Sequence, residues 1–244
     1  MPAILPPLRD HIRPNVRVLL VGINPGVRSS QLGHHFAGPS NRFWKLLYES
    51  RLVPEPIGFA DDRRLHEWGF GITNLIARPT PGIDTLRREE YLAGATVLRR
   101  KSRRVKPDLV AFIGVTLFRS VFGRKTGQPV ALGLQEERLE GARVFVLPNP
   151  SGRNANFSYR EMLDAFAQLR RELVKSEIRN LKSNGRRERA SADRPLARRC
   201  AGLPPGDSAG GHGPGRRVHR GAPHRPRFLS AAVTPRSSPR RRCP

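Results

Sequence analysis

Short apolar runs alternate with segments of helical periodicity along the first 175 residues. The run Val16–Val21 is compact and β-branched, which predicts a buried strand. Further runs predict a Gly-punctuated strand or turn and two more strands: Gly69–Leu75, Leu109–Ile113 and Arg143–Leu147. Helical spacing predicts five helices: Asn41–Glu49 with Ser40 as N-cap, Asp61–Trp68, Leu86–Arg104, Val115–Phe122 and Tyr159–Val174. Alternation of strands and helices predicts a three-layer αβα sandwich with a short, mostly parallel central sheet.

Composition divides the chain into three parts. Residues 1–15 are interrupted by proline and predict an arm, and residues 16–182 carry the periodic pattern of the folded domain. Residues 183–244 contain 9 Pro, 8 Gly and 15 Arg and show neither helical nor strand periodicity. Such a segment buries too little surface to offset the entropy of ordering, so we expect a disordered basic C-terminal tail. The tail either binds nucleic acid without sequence preference or contributes little, and the second interpretation is favoured.

Charge narrows the range of partners. The net charge is +25, of which about +12 lies in the tail and about +13 on residues 1–182. Such an excess of positive charge favours nucleic acid as the first candidate partner and an anionic membrane as the second. No stretch approaches the 18 apolar residues of a transmembrane helix, and the amino terminus does not predict a secretory signal. Both cysteines, Cys200 and Cys243, lie in the tail, so we expect no thiolate metal site in the domain and a reducing cytoplasmic setting.

Two short loops follow predicted strands at their carboxyl ends. Residues 22–26 (Gly-Ile-Asn-Pro-Gly) follow the first strand, and residues 149–153 (Asn-Pro-Ser-Gly-Arg) follow the last. Ligands of open α/β sheets bind outside these strand ends, so the two loops could form opposite walls of one cleft. Taken alone, residues 22–26 fit either an anion nest or a tight turn. They match neither the Walker A loop nor the dinucleotide fingerprint.

Three further segments lie between the loops: residues 34–44 (His-His-Phe-Ala-Gly-Pro-Ser-Asn-Arg-Phe-Trp), 71–75 (Gly-Ile-Thr-Asn-Leu) and 78–80 (Arg-Pro-Thr). In this order and spacing, the set resembles the mismatch-specific uracil/thymine DNA glycosylases. These form the double-stranded uracil-DNA glycosylase branch of the uracil-DNA glycosylase superfamily. The resemblance covers Val16–Val174 and leaves out the tail.

The resemblance implies a hydrolase of the uracil-DNA glycosylase fold that acts on double-stranded DNA. Its reaction would cleave the N-glycosidic bond of uracil opposite guanine, with thymine or ethenocytosine as further bases, and leave an abasic site. It implies no metal, no organic cofactor, no membrane partner and a monomer. Two alternatives stay open: another branch of the superfamily with a different base preference, and a non-catalytic DNA-binding protein.

The resemblance also implies roles for the first loop and the segment after it. Asn24 would position the attacking water, and a carboxamide cannot be a strong general base because it does not titrate near pH 7. Phe36 would stack on the extruded base, while main-chain groups of Ile23 and Phe36 read the pyrimidine edge. Ser29 would face the base or its phosphate, with Ser30 as the alternative. His34 and His35 lack a third ligand at metal-site spacing, so we expect no metal site.

For the second loop, the resemblance implies contact with the duplex. Asn149 and the Ser151-Gly152 backbone would hold the flipped nucleotide. Arg153 would fill the gap left by the base and bind the widowed guanine, the alternative being a phosphate contact. Further candidates for DNA contact, some of which fit a solvated surface equally well, are Arg42, Arg78, Asn154, Asn156, Arg99, Arg100, Lys101, Arg103 and Arg104.

Overall fold

The structure is a computed structural model that describes residues 5–125 and 127–192, without the side chains of residues 180 and 182–192. Its central element is a five-stranded sheet. The strands are β1 (Val18–Gly22), β2 (Phe70–Asn74), β3 (Leu109–Ile113), β4 (Gly133–Leu139) and β5 (Ala142–Leu147). Their order is β2-β1-β3-β5-β4, and only β4 runs antiparallel to its neighbour. The predicted mostly parallel sheet is therefore confirmed.

The described residues form five α-helices: α1 (Val27–Leu32), α2 (Phe43–Glu49), α3 (Arg88–Val105), α4 (Val115–Phe122) and α5 (Tyr159–Ala192). Two 3₁₀ helices, Phe59–Trp68 and Ile83–Thr85, complete the described elements. The sequence predicts an N-cap at Ser40, but α2 begins three residues later. There the side chain of Asn41 accepts a hydrogen bond from the Phe43 N–H at 3.0 Å, because an Asx turn satisfies that free amide.

All residues of β1, β2 and β3 are buried, as expected for parallel strands covered on both faces. Alternate residues of β1 and β3, such as Leu19 and Phe112, pack in one cluster with Leu98 of α3 and Phe118 of α4. The intervening residues point to the opposite face. Phe43 of α2 and Phe166 of α5, both fully buried, meet edge to face at 6.3 Å in a second helical layer. This is the predicted αβα arrangement.

Besides the short 3₁₀ helix Ile83–Thr85, one strand and one α-helix were not predicted, for different reasons. β4 carries Gln135, Glu136 and Glu137 in its middle, because an edge strand has few buried positions and so no apolar run. α1 is only six residues long and includes Ser29 and Ser30, so it shows no apolar face of useful length.

Both predicted boundaries look different in the structure. The arm is tied to the domain, since the backbone of His11 bridges antiparallel to Ile72 of β2. At the other end, α5 ends at Ala192, ten residues past the expected domain limit at residue 182, and includes several Arg, Glu and Ala residues, which favour helix. The disorder expected from residue 183 stays a prediction. The rest of the predicted disordered tail, residues 193–244, lies outside the described residues.

Candidate active site

A cleft of about 740 Å³ opens at the carboxyl ends of the strands. Two loops border it: the β1 loop (residues 23–26) and the β5 loop (residues 148–156). The structure brings together almost all of the predicted site residues here, namely Ile23, Asn24, Ser29, Phe36, Asn149, Ser151, Arg153 and Asn154. Gly152 is not among the lining residues, because it faces Ser40: an added Cβ would lie 2.5 Å from the Ser40 Cβ and Oγ.

Asn24 has an amide orientation fixed by its neighbours. Its Nδ2 donates to Thr80 Oγ1 at 2.7 Å and to the Pro25 carbonyl at 3.1 Å. The single Thr80 hydroxyl proton goes to the Gly82 carbonyl, so Thr80 Oγ1 must accept from nitrogen rather than donate to oxygen. Within the described part of the chain, no donor contacts Asn24 Oδ1. That oxygen is therefore available in the cleft to accept a hydrogen bond from water.

Phe36 stands in a loop rather than on a helix face, as expected. Its backbone is left-handed, with φ +52°, an uncommon conformation for an aromatic residue. Its ring stacks on Phe43 with centroids 4.1 Å apart and an interplanar angle of 24°. The buried Phe43 thus supports one face of a ring that lines the cleft.

Ser29 and Ile23 shape the floor around that ring. The buried Ser29 Oγ accepts the Ala37 N–H at 3.1 Å, so its hydroxyl holds the residue after Phe36 and keeps its own proton for another acceptor. Ile23 is 7% exposed, and its carbonyl accepts from the Ile76 N–H at 2.8 Å. The alternative Ser30 is buried but does not line the cleft.

Asn74 and Thr80 lie in segments that the sequence comparison quoted, but sequence reasoning assigned neither of these cleft residues a role. Both are buried, at 8% and 3% exposed. Asn74 Oδ1 lies so close to Gly22 that an added Cβ there would stand 2.5 Å from it, which explains glycine at the end of β1. Asn74 ends β2, and the strand-end rule that selected Asn24 and Asn149 would have found it. Thr80 follows no such strand end, and its role appears only in the tertiary contact with Asn24.

The β5 loop is organised by its own side chains. Asn149 Oδ1 accepts the Ser151 N–H at 3.0 Å, and Asn154 Nδ2 donates to the Asn149 carbonyl at 2.7 Å. Gly152 and Arg153 are exposed. Arg153 reaches across to the loop after β2, where its Nη1 donates to the Pro81 carbonyl at 3.0 Å. The arginine therefore lies at the mouth of the cleft.

The family model described as "Uracil DNA glycosylase superfamily" matches residues 9–173, more than half of the chain. The chain belongs to the uracil DNA glycosylase superfamily. A protein of Schizosaccharomyces pombe, named G/U mismatch-specific uracil DNA glycosylase, is 38% identical over 190 residues, covering 72% of this chain. The match covers 58% of that relative, less than two thirds of its length. A solution NMR structure of a Methanosarcina acetivorans protein is similar with a TM-score of 0.44 and 16% identity, covering 67% of this chain and 94% of that one.

His34 and His35 of this superfamily member are engaged with protein groups. His34 Nδ1 lies 3.1 Å from Asp62 Oδ1, and His35 Nε2 lies 2.9 Å from the Arg9 carbonyl. Burial lowers the pKa of His35, which favours its neutral form. Among residues 5–125 and 127–192, no cluster of three or more His, Cys, Asp or Glu side chains is arranged to hold a metal ion. No helix in the same ranges is long and apolar enough to cross a membrane.

Several basic candidates are already paired within the glycosylase domain. Arg78 forms two hydrogen bonds of 2.8 Å with Glu90, which raise the pKa of the guanidinium and lower that of the carboxyl to about 2. Three of the five candidate basic residues between Arg99 and Arg104 contact acids: Arg99 and Arg103 lie 3.5 and 3.2 Å from Glu140, and Lys101 lies 2.7 Å from Asp10. Arg42 Nη1 lies 3.8 Å from Met162 Sδ. These contacts support the interpretation of the α3 cluster as a structural and solvated surface.

Proposed function

We propose that this superfamily member is a monofunctional DNA N-glycosylase. It hydrolyses the bond between uracil and deoxyribose in double-stranded DNA, with preference for uracil opposite guanine, and leaves an abasic site. The observation that carries the proposal is the fixed Asn24 amide, whose oxygen opens into a cleft lined by the Phe36 ring. The name of the 38% identical relative supports the same base and mismatch.

The target base must leave the duplex before it can enter this cleft. Phe36 stacks on the extruded pyrimidine, a contact worth about 1–3 kcal/mol per base. Main-chain groups of Ile23 and Phe36, together with Ser29 and Asn149, contact the pyrimidine edge. Asn74 adds a buried carboxamide that can both donate and accept, which suits a ring with carbonyl and N–H groups.

The chemistry follows from the properties of a carboxamide. Asn24 Oδ1 accepts a hydrogen bond from water and orients the water oxygen towards C1′, but it does not take the proton at neutral pH. The C1′–N1 bond therefore breaks largely before attack, and its electron pair leaves with the base. The water oxygen then bonds to C1′, and the water proton is released to solvent or to the base. Donors preorganised around the departing pyrimidine anion lower the barrier.

The β5 loop supplies the contacts with the rest of the duplex. Its exposed tip presents Gly152 and Arg153, and the polar groups of Ser151 and Asn154 lie at the same cleft mouth. Arg153 releases the Pro81 carbonyl and fills the space left by the base. Two guanine acceptors match its guanidinium, which favours guanine in the opposite strand.

Outside the site, the proposal is a monomer that acts on DNA in the cytoplasm without metal or organic cofactor. The position of both cysteines beyond residue 199 supports a reducing compartment for the catalytic domain. The net charge of about +13 on residues 1–182 supports a polyanionic substrate.

One oligonucleotide panel tests the function. Duplexes with U·G, T·G, U·A and ethenocytosine·G, and single-stranded uracil DNA, are each incubated with the protein and assayed for alkali-labile strand breaks. We expect the fastest cleavage for U·G. Preference for single strands or for another base would move the protein to a different branch of the superfamily, and binding without any cleavage would make it a DNA-binding protein.

A further inference from the structure

Asp62 is a fully buried carboxylate that lies outside the cleft. It stands on the 3₁₀ helix Phe59–Trp68, and its side chain is 0% exposed. Three histidines supply its partners: the His35 N–H donates at 2.9 Å, His34 Nδ1 lies at 3.1 Å and His11 Nε2 at 3.2 Å. Burying a carboxylate costs free energy unless the group is well hydrogen-bonded. The three histidine contacts therefore offset the cost of placing Asp62 in the interior.

The partners of Asp62 stabilise its charged form. Burial alone raises the pKa of this carboxyl, but the His11 ring 3.2 Å away and the hydrogen bonds with the His35 N–H and with His34 outweigh burial and lower the pKa to about 2. The carboxylate is therefore ionised at neutral pH and acts as a permanent acceptor for the His34–His35 segment.

The ring and the backbone carbonyl of His35 make further contacts. Its ring contacts the Arg9 carbonyl at 2.9 Å, and its own carbonyl accepts Trp44 Nε1 at 3.2 Å. Its ring also meets the His11 ring edge to face at 5.4 Å. Because His11 bridges to Ile72 of β2, the cluster ties the amino-terminal arm and the sheet to the same short segment.

The residue that follows this segment is Phe36. Its left-handed backbone is an unfavourable conformation for an aromatic residue and persists only where the surroundings impose it. Ser29 Oγ holds the following residue, Ala37, while the preceding residue, His35, is held by Asp62. The direction of the Phe36 ring is thus set from both sides, and Asp62 provides one of the two anchors.

We propose that Asp62 is a positioning residue for the glycosylase reaction, which fixes the His34–His35 segment so that Phe36 faces the extruded base. This inference rests on the proposed function. It assigns to a carboxylate remote from the reacting atoms an effect on excision that passes through the Phe36 ring.

The test compares Asp62→Asn with Asp61→Asn under single-turnover conditions on a U·G duplex. Asp61 accepts the Gly58 N–H at 2.9 Å, and asparagine keeps that acceptor, so it is a matched control. We expect Asp62→Asn to lower the excision rate constant about 10-fold, because an amide replaces one charged acceptor oxygen. Affinity for an undamaged duplex and the rate of Asp61→Asn should stay within about 2-fold.

A double-mutant cycle separates positioning from general loss of stability. In a Phe36→Leu background, Asp62→Asn should lower the rate less than about 2-fold, because the ring through which it acts is gone. An unchanged rate for Asp62→Asn alone, or full multiplication of the two effects, overturns the proposal. If Asp62→Asn does not fold, His34→Leu removes one partner from the same carboxylate at a 27% exposed site, and the same cycle applies with an expected loss of about 3-fold.

A second readout does not depend on activity. In protein with ¹³C-labelled phenylalanine, the Phe36 ring signals, assigned with Phe36→Leu, should shift or broaden in Asp62→Asn and remain unchanged in Asp61→Asn. Unchanged Phe36 signals in Asp62→Asn overturn the proposal. A wild type that excises no base overturns the proposed function instead, while the ring signals still decide whether Asp62 positions Phe36.

Discussion

The β1 loop and the β5 loop face the same cleft, but the contacts that hold their asparagines differ: Asn24 depends on a residue distant in the chain, and Asn149 on its own loop. In the β1 loop, the Asn24 amide is fixed by Thr80, a buried residue 56 positions away in the chain. In the β5 loop, hydrogen bonds among Asn149, Ser151 and Asn154 are local, and the tip is exposed. A group that orients water needs a single fixed position, whereas groups that enter a duplex must be accessible. The contrast separates the two tasks of the site.

Asn24→Ala removes the only oxygen assigned to the water and should have the largest effect. We expect the single-turnover excision rate to fall at least about 10³-fold, in line with the loss of a preorganised polar group in other active sites. Affinity for a U·G duplex, measured by fluorescence anisotropy, should change little. Near-normal turnover would refute the role of Asn24.

Thr80→Val tests whether the fixed orientation matters as well as the amide itself. Valine cannot accept from Asn24 Nδ2, so the amide can rotate, and we expect a loss of about 10²-fold in the rate constant with little change in KM. Thr80→Ser is the matched control because it keeps the hydroxyl, and it should retain most of the activity. Full activity of Thr80→Val together with a loss in Thr80→Ser would show that the methyl packing matters rather than the hydrogen bond.

Arg153→Ala addresses the other loop. Loss of guanine contacts should weaken binding to duplexes with an opposite guanine about 10-fold and those with an opposite adenine less. Arg138→Ala, an exposed charge on β4, controls for the change in net charge. An equal loss for all opposite bases, with a salt slope smaller by about 1, would identify a phosphate contact instead.

Gly152→Ala should have the smallest effect of the four. The new Cβ would lie 2.5 Å from Ser40 and must displace the loop tip, so we expect about 3-fold weaker binding to a U·G duplex. Ser40→Gly in the same protein should restore part of the affinity, since it removes the Cβ and Oγ contacts. Gly58→Ala, where an added Cβ has its nearest contact at 4.0 Å, should leave binding unchanged.

The local pattern was sufficient wherever a short segment determines its own structure. Apolar runs and helical spacing predicted four of the five strands and four of the five α-helices, and the strand-end loops selected Asn24 and Asn149. The edge strand β4 was not predicted, because its exposed faces need no apolar pattern. The helix α1 was not predicted, because six residues are too few to show a helical pattern of apolar positions.

The sequence alone therefore determined the mostly parallel αβα architecture, the order of the two loops and most of the residues proposed to act in the cleft. The tertiary structure decided which partners hold those residues. Thr80 orients Asn24, and Asp62 anchors the residue before Phe36, across 56 and 27 positions of chain respectively. Such contacts produce no pattern in the sequence, because a hydrogen bond between distant segments depends on the packing of the whole sheet and not on local spacing.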